Sequence, residues 1–302
     1  MLFRSPQTPV FLFGHLFSQE LPAAILGGIT LSVSSFEKAC EISRLSENLG
    51  RRTSIHVKID TGMGRMGIPV HEAAASIEEM TKLGGLLLDG IYTHFPTAEK
   101  DDPFRKAQVR EFTTLLETLE KKNIVFRFRH AKNSAAALTL KTPLLNMIRP
   151  GLTLYGIYPD PALNESARFE PVLSLKSRIV LLKKLRGGES VGYGREFVAR
   201  TATTIAVLPL GYSHGYPYAA WKKAFVLFRG KRYPLAGKVS MDYIALDLGQ
   251  ADVKEGDTVT LLGEDQGERI TAEDIAGWAG TIPYEIVTRL SSHLPRIVIP
   301  AS

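Results

Sequence analysis

The 302-residue chain is 44% hydrophobic and 23% charged, close to the average of folded soluble domains, which excludes a disordered or collagen-like protein. No apolar run reaches the ~18 residues of a membrane helix, and the single cysteine, Cys40, excludes an internal disulfide framework and a cysteine-built zinc cluster, and fits a reducing cytoplasm. The formal charge of +6 comes from scattered pairs such as Arg51-Arg52 and Lys183-Lys184, so a solvated basic surface is favoured over a nucleic-acid patch.

The N-terminal stretch to residue 17 is broken by Pro9 and His15 and has no small-residue cleavage site, unlike a signal peptide. Short apolar runs at 10–13, 29–33, 54–59, 86–92, 126–130 and 147–155 then read as strands. Between the second and third, Ser34 and Glu37 suggest a capping box, and Phe36, Ala39, Ile42, Leu45 and Leu49 follow at helical spacing before Gly50. A second helix is expected from Asp102 as N-cap and Pro103 at the first helical position. Strands separated by helices imply parallel pairing, because a parallel crossover needs a dozen or more residues. Residues 1–168 therefore read as a TIM-like α/β barrel with six of its eight strand-helix units. A full barrel takes ~250 residues. After 168 the texture changes: Leu173 and Leu175 alternate with Ser174, Lys176 and Arg178. Strands are expected at 203–208, 224–228, 243–248 and 258–262, with one short helix at 272–279. Residues 169–302 thus read as a mostly antiparallel β-domain.

Polar motifs follow the first-half strands: Asp60-Thr61-Gly62-Met63-Gly64-Arg65, Thr93-His94-Phe95, His130-Ala131-Lys132-Asn133-Ser134 and Arg149-Pro150-Gly151-Leu152. Any one alone is most simply a glycine turn or a satisfied histidine. Four at the same ends of parallel strands point to a shared mouth. There the amides of Gly151 and Leu152 and the hydroxyl of Ser134 suit an anion such as phosphate.

These segments, together with Lys58, Gly192-Tyr193-Gly194, Gly211-Tyr212, Ser240-Met241-Asp242 and Tyr284 to Pro295-Arg296, resemble alanine racemase in order and spacing. The resemblance covers essentially the whole chain. It implies a pyridoxal-phosphate (PLP) barrel, a C-terminal β-domain and a cytoplasmic homodimer that interconverts L- and D-alanine for peptidoglycan. By position it makes Ser134, Gly151, Leu152 and Tyr284 phosphate ligands and sets Arg149 against the pyridine nitrogen. A guanidinium keeps its proton, so that nitrogen stays unprotonated and proton return is favoured over transamination. His94 and His130 flank that arginine. Tyr193 is the tyrosine base, supplied by the partner subunit; a phenol titrates near ~10 and needs nearby positive charge or hydrogen bonds to act at neutral pH. Arg65 and the Met241 backbone bind the substrate carboxylate, Tyr212 narrows the entrance, and Lys58 matches a lysine carbamylated in some members. The resemblance calls for no metal, nucleic acid or membrane.

One family feature is expected to be missing. The lysine that forms the Schiff base stands in a Lys-x-Asn-x-Tyr-Gly-His pattern, and none of the lysines of this sequence opens it. The six strands then correspond to the third through eighth of the barrel, with two units, roughly 70 residues at ordinary unit size, not represented. On this reading the 302 residues are inactive by themselves, and the open barrel exposes the edges of its first and last strands. Two other readings stay open: a PLP-dependent amino-acid decarboxylase, and a PLP or amino-acid binding protein without catalysis.

Overall fold

The structure is a computed structural model and describes residues 8–163 and 167–299. Residues 1–7, the start of the segment weighed as a signal peptide, lie outside the described residues. The chain divides into two compact units, Met1–Gly151 and Leu152–Ser302, whereas the sequence texture changes at 168.

The first unit runs β1 (Phe11–Leu12), α1 (Leu21–Leu26), β2 (Thr30–Val33), α2 (Phe36–Asn48), β3 (Thr53–Asp60), β4 (Ile68–Pro69), α3 (Val70–Met80), β5 (Leu86–Tyr92), α4 (Pro103–Glu120), β6 (Phe128–Lys132), α5 (Ser134–Thr139) and β7 (Met147–Ile148). Its main strands pair in the order β1-β2-β3-β5-β6-β7, all parallel, with β4 on the end of β3. This is the six-strand part-barrel expected from the alternation. Ile55, Val57, Ile59 and Ile91 of the strands pack with Ala39, Ile42, Ile77, Met80 and Phe112 of the helices. Each fully buried large apolar side chain contributes roughly 1.5–3 kcal/mol. Both end strands are only two residues long, which keeps the unpaired edges short.

Three local expectations shift. The cap of α2 is Ser35 rather than Ser34: its extended backbone (φ −155°) lets Oγ accept from the Lys38 amide at 3.2 Å. The fifth strand is set two residues later, at Phe128–Lys132. The last strand stops at Ile148 instead of 155, because Pro150 has no N–H for the ladder and Leu152–Tyr155 form a 3-10 turn. Asp102 does cap α4, accepting from the Arg105 amide at 2.7 Å with Pro103 in the first turn.

The second unit holds β8 (Leu175–Arg178), β9 (Leu181–Leu185), β10 (Ser190–Val191), β11 (Phe197–Val198), β12 (Thr203–Leu208), β13 (Phe225–Phe228), β14 (Lys231–Pro234), β15 (Ile244–Gly249), β16 (Thr258–Asp265), β17 (Glu268–Ile270), α6 (Ala272–Ala279) and α7 (Pro283–Arg289). The named strands pair antiparallel as β15-β12-β9, as β14-β13-β16-β17 with β8 on β16, and as the hairpin β10-β11. Arg229 and Gly230 both take positive φ (50° and 69°) at the β13–β14 turn, as a two-residue hairpin of that twist requires. The core gathers Val226, Leu227, Leu246, Leu261 and Ile275.

Candidate active site

In β3, His56, Lys58 and Asp60 alternate with buried Val57 and Ile59. A strand covered on both faces usually reads as continuous apolar residues, so this polar alternation marks one face as lining a site. At the strand end the Asp60 carboxylate accepts from the amides of Gly62 and Met63 at 2.8 Å each and of Gly64 at 3.0 Å. Burial works to raise the Asp60 pKa, but the amides of Gly62, Gly64 and Met63 outweigh it and hold the carboxyl below its usual range. The loop needs its glycines. A Cβ at Gly67 (φ 124°) would stand 2.7 Å from the Asp60 nitrogen, and one at Gly62 (φ 126°) would stand 2.7 Å from the Phe104 ring. Asp60 and these glycines fold the segment that carries Arg65.

Arg149 follows β7 and is held by neutral acceptors only. Its Nη1 donates to His130 Nδ1 at 2.9 Å; its Nη2 donates to the Thr93 carbonyl at 3.0 Å and to His94 Nδ1 and the Ala131 carbonyl at 3.2 Å. No carboxylate pairs with it among the described residues. Its guanidinium lies over the rings of Tyr92 (5.3 Å) and Phe13 (5.8 Å). Burial lowers its pKa to about 10, with Tyr92 opposing, so it remains a cation at neutral pH. Burial, then the charges of Arg149, Arg65 and Lys58, push His94 from 6.5 to about 4. Burial and Arg149 take His130 to about 2. Both imidazoles are therefore neutral acceptors. Lys58 is 6% exposed and sits 5.5 Å over the Tyr92 ring; burial, then Arg65 and Arg149, lower its pKa.

Beside this cluster the Gly151 N–H donates to Ser134 Oγ at 2.8 Å, and the Asn133 side chain caps the short α5, accepting from the Ala136 amide at 2.9 Å. A Cβ at 151 would meet only Ser134 Oγ, at 3.8 Å, so packing within the chain does not itself demand glycine. Lys58, Arg65, Tyr92, His94, Arg149 and Gly151 line one cleft of about 480 Å³. The first unit thus brings Lys58, Arg65, His94, Arg149 and Gly151 to one cleft, with Ser134 bonded to the Gly151 amide and His130 buried beside Arg149; Leu152, Met241 and Tyr284 belong to the second unit. Sequence reasoning gave no role to His56, which opens the matched segment ending at Gly67, nor to Tyr92 and Phe13, although the two-residue period of β3 already distinguishes His56.

The second unit displays its candidates differently. Tyr193 stands at the tip of the β10–β11 hairpin between Gly192 (φ 74°) and Gly194 (φ 76°) and is 72% exposed. Glu196 of the same tip pairs with Lys238 at 3.0 Å. Two motifs distant in sequence meet: the amides of Tyr212 and Ser213 donate to the carbonyls of Ser240 (3.1 Å) and Met241 (3.0 Å), and Ser213 Oγ donates to Asp242 at 2.7 Å. A Cβ at Gly211 would lie 2.3 Å from both carbonyls. Tyr212 and Met241 are both exposed. Leu152 is buried in the core of this unit, and Tyr284, on α7, packs against it.

Residues 3–159 match the family described as alanine racemase, N-terminal domain, and residues 172–298 match alanine racemase, C-terminal domain. The chain is 38% identical over 297 residues to the alanine racemase of Desulforamulus reducens, covering 97% of this chain and 80% of that protein. It is 37% identical to alanine racemase 2 of Caldanaerobacter subterraneus, covering 96% and 76%. Among solved structures, the Bacillus anthracis alanine racemase with bound L-Ala-P superimposes with a TM-score of 0.89 at 30% identity, over 97% of this chain and 76% of that one. The alanine racemase of Clostridium difficile 630 superimposes with a TM-score of 0.88 at 32% identity, over 94% and 74%.

Proposed function

The chain belongs to the alanine racemase family, and from that premise we propose that it binds PLP and serves the interconversion of L- and D-alanine. The observation that carries this reading is Arg149, a half-buried cation whose named partners are all neutral acceptors. Such a group suits a ligand atom that presents a lone pair and takes no proton. The Gly151 amide and Ser134 hydroxyl lie 2.8 Å apart, and the missing Cβ at 151 leaves the space beside them open, which fits a phosphate. When bound, PLP supplies an electron sink for charge left at a substrate α-carbon.

The chain's own residues then divide the work. Arg149 keeps its proton and directs an N–H at the ring nitrogen, which limits the strength of that sink. His94 and His130, both neutral, hold the guanidinium in place. Arg65 and the Met241 backbone orient a substrate carboxylate, and Tyr212 narrows the entrance. The Tyr193 hydroxyl exchanges a proton on one face of the α-carbon. Its position on an exposed tip supports a homodimer in which each subunit lends its tyrosine to the other. Carbamylation of Lys58 would replace a cation close to Arg65 and Arg149 by an anion that steadies both. Its lowered pKa favours the free amine that this modification needs. Mass spectrometry at high bicarbonate is expected to show the added carboxyl group on Lys58, and an unmodified residue rejects it. We place the reaction in the cytoplasm, supplying D-alanine for peptidoglycan.

Racemisation needs a second base on the opposite face, and no lysine in these 302 residues opens the Lys-x-Asn-x-Tyr-Gly-His pattern. The chain alone is therefore expected to bind PLP without converting alanine. The test is D-alanine formation from L-alanine by the 302-residue chain and by the same chain extended with a relative's lysine-bearing segment. Conversion by the extended chain only is expected. Ordinary conversion by the short chain overturns the assignment of the second base, and carbon dioxide release identifies a decarboxylase instead.

A further inference from the structure

The hydrogen-bond chain that starts at Arg149 does not end at His130. His130 Nε2 lies 2.8 Å from His56 Nδ1, and proton directions along this chain follow from chemistry. A guanidinium only donates, so His130 Nδ1 is a lone pair and the single proton of this neutral imidazole sits on Nε2. That proton points at His56 Nδ1, which must be a lone pair in turn, and the proton of His56 sits on its own Nε2. Were His56 protonated on Nδ1, two N–H groups would face each other at 2.8 Å.

We propose that His56 is a positioning residue for Arg149, fixing the tautomer and rotation of His130 so that its Nδ1 lone pair holds the guanidinium. The fold is built around this imidazole. His56 is 3% exposed, and its ring stands 4.3 Å from Phe11 and 5.6 Å from Phe128, centroid to centroid. Opposite it in the β3–β5 register is Gly90. A Cβ there would fall 2.5–2.6 Å from the His56 ring atoms, while the Gly90 backbone lies outside the left-handed region. Glycine is thus needed at 90 for the imidazole and not for the turn of the chain. Tyr92 stacks on His130 from the other side, 4.7 Å between centroids and 6° from parallel, with its hydroxyl bonded to Ser32 at 2.7 Å. His130 is gripped at its face by Tyr92 and at both nitrogens by Arg149 and His56. The link from Arg149 to PLP rests on the function proposed above; the tautomer does not.

The test uses the full chain labelled with 15N-histidine. Long-range imidazole spectra are expected to show His130 protonated at Nε2 and bare at Nδ1, with a slowly exchanging Nε2 proton. In His56→Leu that proton should exchange quickly, and affinity for PLP, read by its fluorescence, should fall about tenfold, as for one lost hydrogen bond in a charged network. His56→Asn, whose Oδ1 can stand where Nδ1 stands, should restore both readouts. Gly90→Ala leaves His56 present but displaces its ring, and should reproduce the leucine variant. The proposal is overturned by a His130 proton on Nδ1 in the unsubstituted chain, a result that needs no variant to fold. It is also overturned by a folded His56→Leu protein that keeps both readouts, or a folded His56→Asn protein that restores neither. If the unsubstituted chain shows the expected tautomer but takes up no PLP, the functional reading fails and the positioning role stands.

Discussion

His56, Lys58 and His130 of the first unit are each no more than 6% exposed, whereas Tyr193 and Met241 of the second are 72% and 55% exposed. The first group gains its chemistry from its own surroundings: burial removes the proton from each imidazole, and Arg149 dictates which nitrogen keeps the remaining one. The second group is shaped by backbone alone, through the glycines around Tyr193 and the carbonyls that receive the Tyr212 and Ser213 amides. A buried cluster is prepared by its own chain. An exposed tip takes only its backbone shape from the chain around it.

Acid should separate the two units most strongly. His56 and His94 titrate at about 4 in the fold and His130 at about 2, against 6.5 for a free imidazole. Between those values the unfolded chain binds more protons than the folded one, so stability present above pH 6.5 is lost as pH falls through that window. By about pH 4 each of the three contributes up to roughly 3 kcal/mol to that loss, His94 less because solvent reaches it. The second unit buries no histidine among the described residues. Calorimetry from about pH 7 down to about pH 4 should therefore show a first-unit transition that moves down in temperature while the second moves less. Two transitions that fall together would break the distinction. Next in size is Gly67→Ala, where a left-handed backbone (φ 124°) coincides with backbone atoms 2.7 and 2.9 Å from the new Cβ. A destabilisation of ~3 kcal/mol is expected by thermal melting, together with weaker substrate binding as the Arg65 loop shifts.

The parallel half was legible because its strands are short apolar runs between helices with strong caps. Asp102-Pro103 marks the start of α4, while the neighbouring serines 34 and 35 leave the α2 cap uncertain by one residue. The helices α1, α3 and α5 escaped notice because they are short or, like Val70–Met80, open without a side-chain cap. β9 escaped because Leu181-Leu182-Lys183-Lys184-Leu185 lacks a two-residue alternation. The site was legible where residues sit at strand ends, as with Arg65, His94, Ser134 and Arg149. It was less so in mid-strand: His56 acts on His130, 74 positions away, and only parallel pairing through β5 brings them together. The requirement for Gly90 is invisible without its neighbour, since its own backbone conformation is ordinary.

Smaller effects sharpen the contrast from the exposed side. Gly192→Ala meets no atom within 4 Å and is opposed only by its φ of 74°, so it should cost about 1 kcal/mol, a third of the Gly67 value. An equal cost would mean that the hairpin tip is packed as tightly as the Arg65 loop.

Tyr193→Phe should give the smallest change in stability. The ring is 72% exposed and the substitution removes one hydroxyl from a side chain that buries little, so thermal melting should move by less than about 0.5 kcal/mol. The same change takes away the only proton this side chain can exchange. In a chain extended with the lysine-bearing segment, alanine conversion should fall by about a hundredfold or more, with PLP affinity unchanged because Tyr193 is not part of the Arg149–Ser134–Gly151 cluster. That pairing of a silent melt with a large kinetic loss is what an exposed catalytic tip predicts. A Tyr193→Phe protein that melts several degrees lower would show the hydroxyl to be structural and would place Tyr193 with the buried group. One that melts as before and converts alanine normally would remove Tyr193 from the proton exchange altogether.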